Sequence, residues 1–332
     1  MNKKTCVFLL FLFLPLCLCA QYFYTPPLLL PYIEDAPEIG SLAAVLIDAA
    51  TGALLYSKNP NKEIPPASLA KLMTIHLLLR EIKEGRASYD ELIPITAESW
   101  AQNQPPRSSL MFLEPGQIVT LREILLGLAI PSGNDAATAA ALRLTPTIND
   151  FANLMSAEAA RMGLRVTRFV DASGFSPHNK TTAQEFAYFC YQYIKMHPNS
   201  MRDFHSHTVF SYPLEANMPQ GRRTNTTTIT QSNRNGLIGT FPGADGLKTG
   251  FIPESGYNIA LTAGRDQSRF ILVLLGAPSN QEGARIRQAD GKRLLTWAFD
   301  NFKTVSVDVG QIEDVRLWKG RENYVQLTIN KE

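Results

Sequence analysis

Apolar residues are spaced differently at the two ends of the chain and in its middle. Two apolar runs near the amino terminus, Ala43–Asp48 and Leu54–Ser57, flank the turn residues 49–52 and predict a β-hairpin. Beyond residue 240 the apolar positions recur with a period of two, which is typical of β-strands. This second region predicts three more strands, at Gly246–Phe251, Tyr257–Thr262 and Phe270–Leu275.

The middle of the chain carries helical patterns. One helix begins near Ser68 and is apolar nearly all round up to Gly85, which predicts that it lies in the interior of a domain. Threonines followed three residues later by glutamate predict capping boxes, and therefore helix starts, at Thr120 and Thr182. Further helices are predicted at Asp135–Leu144, Asn149–Met162 and Ile286–Phe302.

This order of elements predicts an α+β fold. Strands from the two ends of the sequence would meet in one mostly antiparallel sheet, and the helices between them would form an inserted helical lobe. A cleft would lie between the sheet and the lobe.

The amino terminus has a separate pattern. Lys3 and Lys4 precede the apolar run Val7–Leu18, and the small residue Ala20 closes a cleavage site. The run is shorter than the ~20 apolar residues of a membrane-spanning helix, so we interpret residues 1–20 as a secretory signal peptide. A lipoprotein signal or an uncleaved anchor is the alternative, although the Leu-x-[Gly/Ala]-Cys box of a lipoprotein is missing.

The remaining chain is divided by composition. Residues 21–37, rich in proline and aromatic side chains, are interpreted as a lead-in segment, and residues 38–303 as one large domain. Alternating apolar positions in 304–332 predict two or three short strands. Segments below ~40 residues rarely hold a core of their own, so this short β-rich extension is interpreted as the start of a truncated second domain.

Charge and cysteine content exclude some classes of protein. The formal net charge is +2, and the two lysines of the predicted signal account for it. The rest of the chain therefore shows no basic patch of the kind that binds nucleic acid. Cys190 is the one cysteine of four outside the signal, which leaves no internal disulfide. Its apolar helical surroundings predict a buried, unreactive thiol.

Three short motifs, each present once, supply candidate chemistry. In the first, Ser68-Leu69-Ala70-Lys71, serine and lysine are neighbours on one helix face. A serine hydroxyl becomes a good nucleophile only when a base takes its proton. A lysine can be that base where burial and nearby positive charge lower its pKa, and the apolar helix predicts such burial. An N-cap serine beside a surface lysine is the simpler interpretation of this motif alone.

The second motif, Ser132-Gly133-Asn134, follows Pro131 in a break between two predicted helices. Side chains there could point into a cleft, where Ser132 could relay a proton and Asn134 could bind a peptide amide or Lys71. The alternative is a turn in which Asn134 or Asp135 caps the next helix.

The third motif, Lys248-Thr249-Gly250, lies on a predicted strand. A lysine charge and a threonine hydroxyl suit a carboxylate ligand, and Gly250 would let a ligand backbone approach closely. The charge of Lys248 would also help to keep Lys71 neutral. An exposed strand lysine is the alternative.

Together the motifs resemble the D-alanyl-D-alanine carboxypeptidases, the low-molecular-mass penicillin-binding proteins of serine peptidase family S11. The resemblance covers roughly residues 38–303 and includes the neighbours of each motif, namely residues 66–74, 109–116, 132–137 and 245–250. It implies a penicillin-binding protein/β-lactamase-like fold and makes 38–303 the predicted D,D-peptidase catalytic domain.

The resemblance also implies the roles of the first two motifs. Ser68 would attack the carbonyl between two D-alanines at the end of a peptidoglycan stem peptide and form an acyl-ester. Lys71 would be the general base and Ser132 the proton relay to the departing D-alanine. Asn134 would bind substrate.

The third motif would complete the site. The resemblance implies that Lys248, Thr249 and Gly250 bind substrate, the first two through its terminal carboxylate. The backbone N–H groups of Ser68 and Phe251 would form the oxyanion hole. Water would release the product, and β-lactam antibiotics would inhibit by acylating Ser68. No metal and no cofactor are implied.

Alternatives remain open at this point. A D,D-endopeptidase, which cuts peptidoglycan crosslinks, would carry the same motifs, and a non-catalytic peptidoglycan-binding protein could share the fold. A class A β-lactamase would need a Glu-x-x-Leu-Asn segment between the second and third motifs, and none occurs. The signal predicts export to the periplasm or the outer face of the cytoplasmic membrane.

Histidines and arginines outside the motifs give weaker signals. His205 and His207 have no further ligand at a recognisable metal-site spacing, and His178 is interpreted as structural. Arg222, Arg223 and Arg234 could face an acidic substrate, although solvated loop charge is the simpler interpretation.

Overall fold

The computed structural model describes residues 36–305 and two short strands at 315–316 and 324–325. In chain order the strands are β1 (Ala43–Asp48), β2 (Leu54–Lys58), β3 (Val209–Tyr212), β4 (Ile229–Ser232), β5 (Ala244–Ile252), β6 (Gly256–Arg265), β7 (Ser268–Ala277), β8 (Val315–Arg316) and β9 (Tyr324–Val325). The helices are α1 (Lys71–Lys83), α2 (Leu121–Ala129), α3 (Asn134–Leu144), α4 (Ile148–Arg161), α5 (Ala183–Met196) and α6 (Gly283–Asn301).

One five-stranded antiparallel sheet is built from both ends of the described chain. Its order is β2-β1-β7-β6-β5, and β1 pairs with β7 from Ala43 opposite Leu275 to Asp48 opposite Phe270. The α+β prediction of a sheet closed by distant segments is therefore confirmed. β5 stands at one edge with a single neighbour in the sheet, β6.

Both faces of the sheet are buried. Successive side chains of a strand point to opposite faces, so alternate residues of β1 and β7 enter different apolar clusters. Val45 and Val273 belong to the cluster that contains α1 and α5, and Leu46 and Leu272 belong to the cluster beneath α6. Sheet, inner helices and α6 thus form three layers, and the helical segment 71–196 is inserted between β2 and β3 as predicted.

The predicted helix starts are largely correct. Thr120 forms the full capping box with Glu123 at the start of α2. Thr182 accepts a hydrogen bond from the Glu185 N–H at the start of α5. The Glu185 carboxylate, however, accepts from the N–H groups of residues 165–167, because that neighbouring turn offers it three donors. The predicted second box is therefore half formed.

The β3–β4 ribbon was not predicted. Residues 213–228 between its strands, hereafter the arm, contain two short 3-10 turns, Glu215–Asn217 and Gln220–Asn225. Polar residues dominate this stretch, so no periodic pattern marks it in the sequence.

The described residues cover only part of the chain ends. β8 and β9 pair with each other, at positions where short strands were predicted. The signal peptide 1–20, nearly all of the lead-in segment 21–37 and most of the extension 304–332 lie outside the described residues. Among the residues that are described, no helix is long and apolar enough to cross a membrane.

Candidate active site

The three motifs meet where the sheet edge faces the helices. Ser68 lies in a 3-10 turn, Ala67–Ala70, that leads directly into α1; the predicted helix start is therefore a tighter turn. The Lys71 amine lies 3.1 Å from the Ser68 hydroxyl and 2.8 Å from the Asn134 side-chain oxygen. The structure thus brings the first two motifs into direct contact.

Gly250 joins the third motif to this group. A Cβ atom on Gly250 would lie 2.9 Å from the carbonyl oxygen of Pro66 and 3.0 Å from the backbone nitrogen of Ser68. Real Cβ atoms are rarely this close to other atoms, so the edge strand approaches the Ser68 turn through the space that glycine leaves open. Gly250 thus makes room for the protein's own backbone, and the predicted approach of a ligand backbone stays a prediction.

Lys71 is prepared to accept a proton. Its side chain is fully buried, and burial lowers its pKa to about 7; Asp171 and Asp135 act in the opposite direction and Arg234 lowers it further. The amine also donates to the carbonyl of Ser173 at 2.9 Å. A neutral amine has two N–H groups and one lone pair, so donation to Ser173 and Asn134 leaves the lone pair for the hydroxyl of Ser68.

Asp135 fixes the position of the second motif. Its buried carboxylate accepts hydrogen bonds from four backbone N–H groups, those of Met111, Phe112, Leu113 and Ala136. Burial nevertheless raises its pKa. These bonds hold segment 108–113 against the start of α3. Ser108 in turn accepts from the Asn134 amide at 3.0 Å, so Asn134 is held with its oxygen toward Lys71.

Ser132 is buried and strained. Its φ is +66°, a left-handed conformation that a non-glycine residue seldom adopts, and its side chain is 2% exposed. Among the described residues its hydroxyl has no hydrogen-bond partner. A buried hydroxyl without a partner is costly, which is the condition expected of a group that serves a ligand or a proton transfer.

Lys248 lies in a cationic environment. It is 2% exposed and donates to the carbonyl of Thr249 at 3.0 Å. Burial, then the charges of Lys71, Arg234 and Arg287, hold its pKa well below the usual value. A carboxylate ligand would relieve this repulsion, so the wall formed by β5 suits an anion.

Sequence reasoning missed Arg287. This residue of α6 is 5% exposed, and burial lowers its pKa to about 10. Its two hydrogen bonds, to the carbonyls of Asn258 and Arg234, are long at 3.5 and 3.4 Å, and its Nε has no partner in the described residues. The available signal was its position seven residues before Leu294, on the apolar face of α6.

The structure also places His205 and Arg234, two residues outside the motifs that the sequence singled out. His205 is buried between the hydroxyl of Tyr193 at 2.7 Å and the carbonyl of Leu247 at 3.1 Å, so it joins α5 to β5. No cluster of histidine, cysteine, aspartate and glutamate that could hold a metal occurs in the described part. Arg234 is exposed as a residue, but burial of its guanidinium lowers its pKa, and it donates to the Pro131 carbonyl beside the second motif. It is therefore not the solvated loop charge that the sequence favoured.

Comparison with solved structures identifies the class. Penicillin-binding protein 5 from Haemophilus influenzae superposes with a TM-score of 0.74 at 29% identity over 87% of this chain and 80% of that one. Penicillin-binding protein 6B from Escherichia coli gives 0.72 at 31% identity, over 85% of both chains. The fold is that of the penicillin-binding proteins, with a serine–lysine pair in the cleft.

Sequence comparison then identifies the family. The D-alanyl-D-alanine carboxypeptidase family model, peptidase S11, matches residues 31–279. The D-alanyl-D-alanine carboxypeptidase DacD of Escherichia coli is 31% identical to this chain, over 91% of this chain and 75% of the length of DacD. A D-alanyl-D-alanine endopeptidase from Pseudomonas aeruginosa is 29% identical over 78% and 77%. The chain belongs to the D-alanyl-D-alanine carboxypeptidase family, a family of serine peptidases, as its motifs predict.

Proposed function

We propose that Ser68 is the nucleophile of a D-alanyl-D-alanine carboxypeptidase and that Lys71 is its general base. One observation carries the proposal: a fully buried amine gives its two N–H groups to Ser173 and Asn134 and lies 3.1 Å from the Ser68 hydroxyl. With a pKa of about 7, this amine is available as a base near neutral pH. Ser68 then forms an acyl-ester with the penultimate D-alanine.

The positive charges around Lys248 on β5 support a particular orientation of the substrate. Lys248 and Thr249 bind the carboxylate of the terminal D-alanine, and Arg287 adds positive charge behind them. The strand edge at Gly250 receives the peptide backbone, and the N–H groups of Ser68 and Phe251 stabilise the oxyanion. Ser132, whose buried hydroxyl is otherwise unpaired in the described residues, relays the proton to the departing D-alanine. Asn134 binds the peptide amide, and water completes hydrolysis.

The same serine is proposed to react with β-lactam antibiotics. Penicillin-binding protein D2 of Listeria monocytogenes, 27% identical with a TM-score of 0.66, has been solved in an ampicillin-bound form. We also propose that residues 38–303 form the catalytic domain and that 304–332 form a short β-rich extension. A signal in residues 1–20 directs export to the periplasm or the outer face of the cytoplasmic membrane.

Covalent labelling tests the nucleophile. A fluorescent penicillin should label the wild-type protein, and Ser68→Ala should abolish labelling while Ser57→Ala, at an exposed position on β2, leaves it intact. Labelling of the Ser68→Ala protein at another serine would refute the assignment.

Product analysis tests the reaction. Release of D-alanine from a pentapeptide ending in D-Ala-D-Ala should greatly exceed cleavage of crosslinked muropeptides. The reverse ranking would make the protein an endopeptidase. Rapid penicillin hydrolysis without D-alanine release would make it a β-lactamase, and no reaction with either would leave a binding protein.

A further inference from the structure

The loop 171–176, between α4 and α5, closes over the start of α1. Two of its carbonyl groups accept hydrogen bonds from this helix. The Ala172 carbonyl accepts from the Thr74 hydroxyl at 2.8 Å, and the Ser173 carbonyl accepts from the Lys71 amine at 2.9 Å. The loop is therefore tied to the helical turn that contains the proposed base.

Gly174 brings the same loop against the turn that carries Ser68. Its φ is +77°, and a Cβ atom at this position would lie 1.8 Å from the carbonyl oxygen of Ala67 and 3.0 Å from the Cβ atom of Ala70. No side chain fits into that space, so the loop and the turn approach each other through the gap that glycine leaves. A shift of the loop would therefore disturb the geometry between Ser68 and Lys71.

One carboxylate holds the loop in shape. The Oδ1 atom of Asp171 accepts from the backbone N–H groups of Ser173 and Gly174, at 2.7 and 2.6 Å, and from the Ser173 hydroxyl at 2.9 Å. Its Oδ2 atom accepts from the Ser176 N–H and from the side-chain amide of Asn179, both at 2.8 Å. All these donors are neutral groups, so they stabilise the carboxylate without cancelling its charge.

Asp171 stays ionised near neutral pH. Burial would raise the pKa of its carboxyl group, but the hydrogen bonds from Asn179 and from the loop outweigh burial and hold the pKa below its usual value. Asp135 differs in this respect, because burial prevails there and raises the pKa. Of the two carboxylates that act on Lys71, Asp171 is thus the one that keeps its charge to lower pH.

Ser173 links this charge to the base. Its N–H and hydroxyl groups bind Asp171, and its carbonyl accepts from Lys71. A single residue therefore bridges the carboxylate and the amine. After burial, which lowers the pKa of Lys71, the charge of Asp171 is the largest influence, and it acts in the opposite direction.

Three other charged groups interact with the Lys71 amine. Asp135 of α3 acts in the same direction as Asp171, and Arg234 acts against both. Lys248 of β5 and Lys71 repel each other. Asp171 is therefore the main group that keeps Lys71 basic against burial and two positive neighbours.

We propose that Asp171 is a positioning residue with two separable effects: its hydrogen bonds hold the Ser173 carbonyl against the Lys71 amine, and its charge sets the pH at which Lys71 becomes a base. This role rests on the proposed function, in which Lys71 takes the proton of Ser68. A nearby negative charge stabilises protonated Lys71 and makes the amine a stronger base than burial alone would. The Ser173 carbonyl occupies one N–H group, which helps to leave the lone pair for the Ser68 hydroxyl.

Asp171→Asn tests the effect of the charge. The amide has the size of the carboxylate and can keep the oxygen that accepts from Ser173 and Gly174, but it is neutral. Protonated Lys71 then loses a favourable neighbour and its pKa falls. The midpoint of penicillin acylation as a function of pH should move to lower pH by about one pH unit. An unchanged or raised midpoint in this variant would overturn the proposal.

Two controls separate the charge from the shape of the loop. Ser173→Ala removes a hydroxyl from the same hydrogen-bond network and leaves the charge of Asp171 in place, so its midpoint should equal that of the wild type. Glu63→Gln removes an exposed carboxylate elsewhere and should have no effect. A shift in Ser173→Ala as large as that in Asp171→Asn would assign the effect to loop structure and contradict the role of the charge.

Asp171→Glu tests the positioning and also covers a folding failure of the asparagine variant. Glutamate keeps the charge but is longer by one methylene, so the loop hydrogen bonds cannot all form and the Ser173 carbonyl is displaced. The midpoint should stay near that of the wild type, while the acylation rate on the high-pH plateau falls about ten- to a hundredfold. A wild-type plateau rate, or a midpoint at lower pH, would refute the proposal.

The same pH profiles distinguish this role from the proposed function. Wild-type protein that penicillin does not acylate at any pH would refute the proposed function. Normal pH-dependent acylation of the wild type, with an identical profile in Asp171→Asn, would refute the role of Asp171 alone.

Discussion

The two buried lysines of the cleft have the same side chain and opposite surroundings. Lys71 begins α1, on the side of the site that the helices form (the helical wall). It has oxygen atoms of Ser68, Asn134 and Ser173 within 3.1 Å. Lys248 lies on β5, the edge strand on the opposite side of the site (the sheet wall). It donates to the Thr249 carbonyl and has Arg234 and Arg287 among its charged neighbours. Burial lowers both pKa values, but only the helical wall also supplies carboxylates that counteract the effect.

This difference assigns different chemistry to the two walls. On the helical side, burial lowers the pKa of Lys71 and the nearby carboxylates limit that decrease, which leaves an amine that can exchange a proton near neutral pH. Concentrated positive charge on the sheet side is unfavourable by itself and becomes favourable when an anion enters. A base and an anion site can therefore be made from one residue type by choosing its neighbours.

The largest effect is expected at Lys71. Lys71→Met keeps an unbranched side chain of similar length but removes the base, so penicillin acylation of Ser68 should slow by about a thousandfold. Non-covalent affinity for peptide should change little, because the sheet wall is intact. Stopped-flow acylation and equilibrium binding measure the two quantities.

Lys62→Met is the matched control at an exposed lysine and should acylate normally. If Lys71→Met retained rapid acylation, the two-wall comparison would fail, because the base would have to lie elsewhere.

A smaller effect, of a different kind, is expected at Arg287. Arg287→Gln removes one of the positive charges that act on the proposed carboxylate site, and a nearby charge at an effective dielectric constant of ~20 contributes about 1.5–3 kcal/mol. The KM for D-Ala-D-Ala peptides should therefore rise by about ten- to a hundredfold, while kcat changes much less.

Arg285→Gln, on the exposed side of the same helix, should behave as wild type. A fall in kcat with unchanged KM in Arg287→Gln would place Arg287 in the chemical step instead of carboxylate binding.

Local patterns predicted the parts of the fold that local physics determines. The apolar run Ala43–Asp48 became a strand, and the Thr120 capping box formed in full. The motif residues of the candidate site were also found, since their spacing and order are visible along the chain. Their contacts, such as that of Lys71 with Asn134, follow from the resemblance and the fold together.

Other features depend on contacts that the sequence does not display. Asp135 was considered only as a helix cap, yet it binds three N–H groups of a segment more than twenty residues away. Arg287 acts on Lys248 through its charge because α6 packs on the sheet. The arm has no periodic pattern, and its position is fixed by tertiary contacts such as that of Asn217 with Ile118. Each is a long-range hydrogen bond or charge effect, and apart from the position of Arg287 on the apolar face of α6, propensity and periodicity carry no signal for it.

The pH dependence of acylation tests the electrostatic side of the comparison. Only neutral Lys71 can accept the proton of Ser68, and its pKa is about 7. The acylation rate should therefore fall about tenfold for each pH unit below 7 and level off above it. Penicillin acylation measured as a function of pH gives the midpoint directly, and a rate independent of pH between 5 and 8 would contradict the role of Lys71.

Arg234→Gln refines that measurement with the smallest expected effect. The positive charge of Arg234 lowers the pKa of Lys71, so its removal stabilises the protonated amine and raises that pKa. The midpoint should move to higher pH, and the rate at a fixed pH below 7 should fall several-fold, while the plateau at high pH is retained. Removal of a distant positive charge, as in Lys62→Gln, should leave the midpoint unchanged. A downward shift in Arg234→Gln would mean that the arginine acts on Lys71 through the position of Pro131 and the second motif rather than through its charge.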